Sequence, residues 1–152
     1  RFIMDGYWNR PDATAEATWV DPQGRPWFRT GDIGRLDDEG FLYVVDRKKD
    51  MILSGGQNIY PVDIESILIE HPMISEVAVI GIPDETWGET PIAVIVPASS
   101  VGEHSGTAEE ILAWANTQLG KRQRIQRVEI VADLPRNPNG KVLKRTLRET
   151  FR

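Results

Sequence analysis

EVAVIGIPDETWGETPIAVIVP, residues 76–97, holds two runs dense in β-branched residues, each ending in proline. Branching at Cβ restricts χ1 and suits the pleated surface of a sheet, so EVAVIGIP (76–83) and IAVIVP (92–97) predict strands. The pattern on either side is helical. Upstream, YPVDIESILIEHP (60–72) spaces Ile64, Ile67, Leu68 and His71 by three and four, with Pro61 suited to a first turn and Pro72 to a stop. Downstream, Thr107 and Glu110 form a T-x-x-E capping box, and Ala108, Ile111, Leu112, Ala115 and Leu119 share one face. RVEIVADLP (127–135) reads as a third strand, and a short basic helix follows from about Val142. The order helix, strand, strand, helix, strand predicts an α+β fold, a small sheet with helices on one face.

Residues 1–46 read differently, as turns and short strands. DPQG (21–24) and DDEG (37–40) each precede an apolar run, which predicts hairpins. Trp8, Trp19 and Trp27 are more aromatic surface than such strands can bury among themselves, as though this segment ends something larger.

The 152 residues fall within the size of one domain, at which about 70% of the unfolded surface can be buried. No apolar run reaches the length needed to span a bilayer, no secretory signal is visible, and the absence of cysteine excludes disulfides and thiolate chemistry. A cytoplasmic protein is expected. A net charge of −5 argues against nucleic acid as a partner. Basic residues nevertheless gather in three islands, DRKKD (46–50), GKRQRIQR (120–127) and GKVLKRTLR (140–148), and together these favour an anionic ligand. ASSVGEHSG (98–106) reads as a flexible polar loop, and there is no internal repeat.

Three motifs can carry chemistry. In WFRTGD (27–32), Asp32 either closes a turn after Gly31 or accepts hydrogen bonds from a pair of ligand hydroxyls. In VVDRKKDMILSGGQNIYP (44–61), Gly55 and Gly56 either make a flexible turn or let backbone approach a ligand that a Cβ would exclude. In PRNPNGKVLKR (135–145), a Pro- and Gly-rich loop delivers Lys141 to what reads as a helix start, where positive charge is unhelpful to the helix but suits phosphate or carboxylate oxygens. The lone histidines, His71 at a helix end and His104 in the polar loop, predict no metal site. There is no phosphate-binding P-loop and no nucleophile elbow.

GYWNRPDAT, WFRTGD, GFLYVVDRKKDMILSGGQNIYPVDIE, EVAVIGIPDETWGE and PRNPNGKVLKR occur in one order, and in that order they resemble the C-terminal part of acyl-CoA synthetases of the adenylate-forming family. The resemblance covers nearly the whole chain. It implies a ligase that converts a carboxylic acid, with a fatty acid favoured, and ATP with Mg2+ into an acyl adenylate, which coenzyme A then captures as a thioester. By that likeness Lys141 is the lysine of the first step, Asp32 and Arg47 contact the nucleotide, and Lys49 is the hinge. Gly55 and Gly56 line the pantetheine tunnel, and Trp87 and Arg124 meet the nucleotide end of coenzyme A. RQRI (122–125) departs from an aromatic-Lys-x-Pro pattern of many relatives, and Leu53 stands where luciferases carry a lysine. The likeness further implies a remnant of the large N-terminal domain over residues 1–48 and a mobile domain over 49–152, inactive without the missing N-terminal domain and open to self-association. The alternative readings are an adenylation domain that loads a carrier protein, or a non-catalytic adenylate-binding or interaction module.

Overall fold

Short polar turns organise the first third of the chain. The computed structural model describes residues 4–98 and 107–152, and the chain divides between Val44 and Val45 into two units. The predicted polar loop beyond Ala98, with His104, lies outside the described residues.

The first unit begins with a helix the sequence reading did not anticipate, α1 (Pro11–Glu16), whose signal is Pro11 in its first turn followed by Asp12. Strands β1 (Thr18–Val20) and β2 (Pro26–Phe28) pair antiparallel with Trp19 opposite Trp27. Asp21 holds the turn between them. Its Oδ1 accepts the backbone N–H groups of Gln23 and Arg25, and its Oδ2 accepts Arg25 Nε at 2.7 Å and the Trp27 indole N–H at 3.1 Å. Burial raises the pKa of this carboxyl, but the four hydrogen bonds outweigh it and leave the group below its ordinary value. Strands β3 (Asp32–Leu36) and β4 (Leu42–Arg47) form a second two-stranded sheet. Asp37 plays the same part there, accepting the N–H groups of Phe41 and Glu39, and its pKa is likewise lowered, chiefly by the Phe41 N–H. Much apolar surface stays exposed in this unit: Trp8 is 90% accessible, and Trp19, Trp27, Phe41 and Leu42 are exposed as well.

The second unit contains β5 (Ile52–Ser54), β6 (Gln57–Ile59), α2 (Pro61–Leu68), β7 (Ile74–Asp84), β8 (Gly88–Pro97), α3 (Ala108–Gln118), β9 (Val128–Ile130) and α4 (Lys144–Thr150). Its five-stranded sheet runs β6-β5-β8-β7, with β9 joined parallel to β8. The two strands that open the sequence argument are one long antiparallel hairpin, with Glu76 opposite Val96 and Asp84 opposite Gly88. Alternation along it fills two cores. Val79, Ala93 and Ile95 pack with Ile64 and Leu68 of α2 and Ile111 and Ala115 of α3, whereas Ala78, Ile80, Ile92 and Val94 pack with Leu134 and with Leu147 of α4. Ile64, Leu68, Ile80 and Ile92 have no accessible surface, each worth about 1.5–3 kcal/mol relative to exposure.

The α+β class and the sharing of one sheet face by α2 and α3 agree with the sequence reading, but not all helices lie on one face: α4 covers the other, because Leu147 packs on the alternate residues Ile80 and Ile92. The Thr107–Glu110 capping box forms in both directions, and His71 meets Trp114 of α3 edge-on at 4.5 Å. Three boundaries differ. The third predicted strand shrinks to Val128–Ile130, the residues that pair in register with Ala93–Ile95 of β8. The last helix starts at Lys144, because Val142 is drawn into a bridge with Arg136. The stretch around Gly55–Gly56 is a tight hairpin, β5–β6, with Ser54 opposite Gln57 and positive φ at both glycines (+54° and +76°). Two consecutive positive φ values match the two-residue turn whose twist suits adjacent strands, so glycine is required there by geometry.

Candidate functional site

A cleft of about 470 Å³ opens at the turn end of the β7–β8 hairpin, lined by Ser54, Gly55, Gln57, Trp87, Thr90, Pro91, Lys121, Arg122 and Arg124. Three local devices build it. Asp84 Oδ1 accepts the N–H groups of Thr86 and Trp87, which fixes the turn carrying Trp87. Gly55 N–H donates to the Trp87 carbonyl at 2.8 Å, and a Cβ on Gly55 would lie 2.8 Å from Trp87 Cε3, so the glycine lets the indole lie against the β5–β6 turn. The basic wall comes from the loop after α3. There Asn116 clamps buried Ile125 through both backbone groups at 3.0 Å, and Gln126 N–H donates to the Pro91 carbonyl. Arg122 Nη1 donates to Gln57 Oε1 at 2.8 Å, spanning the mouth of the cleft.

Among the described residues, three cations and no carboxylate line this cleft, and Trp87, 58% accessible, offers a flat aromatic face. That combination suits a ligand bearing both phosphate and a planar ring. The structure therefore brings Gly55, Trp87 and Arg124 together. Gly56 occupies the neighbouring turn position, and a Cβ there would meet nothing within 4 Å. Gln57 and Asn116 were not singled out from the sequence, whereas Lys121 and Arg122 belong to the basic island GKRQRIQR read there as favouring an anionic ligand. Ile125 inside the basic run was the available signal, since one apolar residue among arginines marks where the loop is pinned. Arg127, from the same run, instead pairs with Glu129 and donates to the Phe151 carbonyl.

Lys141 lies elsewhere and is not at a helix start, as the sequence reading had it. It sits in a closed loop ahead of α4, where Asn137 N–H donates to the Lys141 carbonyl at 2.9 Å and Asn137 Oδ1 accepts the N–H groups of Lys141 and Asn139. Gly140, at φ +79°, completes the turn, and Leu143 N–H donates to the Pro135 carbonyl. The exposed Lys141 side chain has no ion-pair partner among the described residues. Arg136 anchors the loop to Glu76, near the start of β7, whereas the cleft is built on Asp84–Gly88 at the other end. Eight residues of strand separate Glu76 from Asp84, roughly 26 Å at 3.3 Å per residue.

Residues 63–141 match the family described as AMP-binding enzyme C-terminal domain, more than half of the chain. The chain belongs to that family. The chain is 46% identical over 149 residues to the long-chain-fatty-acid–CoA ligase FadD13 of Mycobacterium tuberculosis, covering 98% of the chain and 28% of that protein. It is 46% identical over 147 residues to a 2-succinylbenzoate–CoA ligase of Bacillus cytotoxicus, again 28% of the relative and 97% of the chain. Among solved structures, ATP-bound MatB from Rhodopseudomonas palustris matches with a TM-score of 0.83 at 36% identity, over 97% of the chain and 28% of MatB. The chain thus spans little more than a quarter of the length of these relatives.

The remaining predicted residues fall at strand ends and turns of the AMP-binding C-terminal domain and the segment before it. Asp32 opens β3 after Gly31 (φ +76°), its N–H bonded to Thr30 Oγ1. Arg47 ends β4, and its carbonyl accepts the N–H groups of Asp50 and Met51, forming the turn in which Lys49 is exposed. Asp50, next to Lys49, is buried and pairs with Arg148 of α4 at 3.1 Å. Among the described residues, no helix is long and apolar enough to cross a membrane, and no group of three or more His, Cys, Asp or Glu could hold a metal ion.

Proposed function

We propose that this chain is the C-terminal portion of an acyl-CoA synthetase, in which residues 49–152 serve both half-reactions and residues 1–48 belong to the large N-terminal domain. Lys141 bridges carboxylate and phosphate oxygens while the acyl adenylate forms. The cleft of Gly55, Trp87 and Arg124, with Gly56 in the adjoining turn, receives coenzyme A for the thioester step, the pantetheine arm beside the glycines and the nucleotide end near Trp87 and the arginines. Asp32 and Arg47 contact the nucleotide, and Lys49 is the hinge.

One observation carries this reading. The exposed lysine and the cationic cleft lie at opposite ends of the β7–β8 hairpin, too far apart to reach one bound adenylate in a single orientation. A domain that turns over between steps resolves that separation, since the first step needs a fixed cation at developing negative charge and the second needs a channel for a neutral thiol chain. Identity to CoA ligases across almost the whole chain supports the same assignment. ATP, coenzyme A and Mg2+ belong to the complete enzyme, and no step assigned to this chain's residues uses the ion. The substrate is a carboxylic acid, with a fatty acid favoured by the likeness to FadD13. The acyl pocket and phosphate-binding loop are supplied by polypeptide outside this span, so the 152 residues alone form no acyl-CoA, and the exposed aromatics of the first unit self-associate in its absence.

Incubating the full-length enzyme with fatty acid, ATP and magnesium, then adding either coenzyme A or a phosphopantetheinyl carrier protein, tests the reading. Free acyl-CoA is expected. Exclusive loading of the carrier would favour an adenylation domain instead, and turnover by the isolated 152 residues would refute the dependence on the larger domain.

A further inference from the structure

We propose that Arg136 is the positioning residue for Lys141, and that Glu76 is its counter-anchor. The inference rests on the function proposed above and adds a residue pair to it. The loop that carries Lys141 is short, exposed and turned at positive φ by Gly140, whose lack of a Cβ leaves the backbone intrinsically free. Internal bonds from Asn137 define its shape but do not fix it to the sheet. Arg136 does. One guanidinium nitrogen, Nη1, donates to the Gly140 carbonyl at 2.7 Å, the peptide directly preceding Lys141, and Nη2 pairs with the Glu76 carboxylate on β7. A planar fork spans two acceptors at a set distance, which a lysine in its place would not do.

Both partners are about two-fifths accessible, so the pair is a weak source of stability in itself. Its consequence is directional: the peptide before Lys141 is tied to the edge of the most buried hairpin in the unit. Displacement of a catalytic group by about 1 Å costs on the order of 100-fold in rate, so a loop released at this tie loses adenylation without unfolding.

The test uses the full-length ligase with its half-reactions assayed separately, adenylation by pyrophosphate release and thioester formation from supplied acyl adenylate. Arg136→Ala is expected to slow adenylation at least about tenfold, with kcat falling more than KM rises, while the thioester step stays within twofold. Arg136→Lys recovers part of the loss, and Glu76→Gln gives a smaller drop confined to adenylation. Should Arg136→Ala fold poorly, Glu76→Gln carries the test, since it removes only the charge of the distal partner. Adenylation unchanged in both Arg136→Ala and Glu76→Gln, or both half-reactions falling together, would overturn the inference. A Lys141→Ala control separates the two layers: if that variant adenylates normally, the functional assignment fails, whereas if it is inactive and the Arg136 and Glu76 variants are not, only the positioning role fails.

Discussion

Alanine substitution at Gly55 and at Gly56 makes a matched pair, because the two glycines share a turn yet face different surroundings. Each has positive φ, +54° and +76°, so a Cβ at either position costs about 1–2 kcal/mol from backbone strain alone. At Gly56 the added methyl meets nothing within 4 Å, and the strain is the whole effect. At Gly55 it lies 2.8 Å from Trp87 Cε3 and 3.2 Å from Cζ3, closer than atoms tolerate. The indole must turn off its rotamer, at about 0.5–1.5 kcal/mol, and it can do so because its outer face is open. Gly55→Ala is therefore expected to destabilise by about 2–3 kcal/mol and Gly56→Ala by about 1–2 kcal/mol. Denaturant unfolding of the 152-residue chain, followed by far-ultraviolet circular dichroism, measures both. Equal losses, or a larger loss at Gly56, would refute the packing of Trp87 on the β5–β6 turn.

Asp21 offers a pH test: its folded pKa lies below the ordinary 3.8, so the stabilisation it supplies is complete above that value and disappears as the pH falls through the lowered folded value. An NMR titration of the Trp27 indole N–H should show the β1–β2 turn intact at mildly acid pH and breaking well below it, and a midpoint at or above about 3.9 would contradict the hydrogen-bond account. Asn116→Leu should leave both backbone groups of buried Ile125 unpaired, costing about 2–3 kcal/mol and accelerating amide exchange across residues 120–127, while a change within about 0.5 kcal/mol would show that the loop holds without the clamp.

The parts of the fold that were legible in the sequence are those decided locally. The capping box of α3, the aspartate-led turns at Asp21 and Asp37, and the β-branched density of β7 and β8 each act within a few residues, so their signals sit side by side in the chain. The β5–β6 hairpin escaped because each strand has three residues, too few for a period to register, and Ser-Gly-Gly also fits an open turn. The start of α4 shifted because an isolated bridge between Arg136 and Val142 competes with helix formation. At the candidate site the same divide holds. Gly55 and Trp87 were legible through the motifs that resemble acyl-CoA synthetases and Arg124 through its basic island, where the chain departs from the pattern of many relatives, but the Arg122–Gln57 bond links residues 65 apart and the Arg136–Glu76 pair residues 60 apart. Long-range partners of exposed arginines leave no mark on the sequence around either member.

The division of labour within one small unit is most directly tested by measuring both half-reactions of the full-length enzyme for Lys141→Ala and Gly55→Ala side by side. Lys141→Ala should abolish acyl adenylate formation and still pass supplied acyl adenylate to coenzyme A at near the parental rate, and Gly55→Ala should show the reverse. If both variants lose the two steps in equal proportion, the opposite ends of the β7–β8 hairpin do not serve separate reactions.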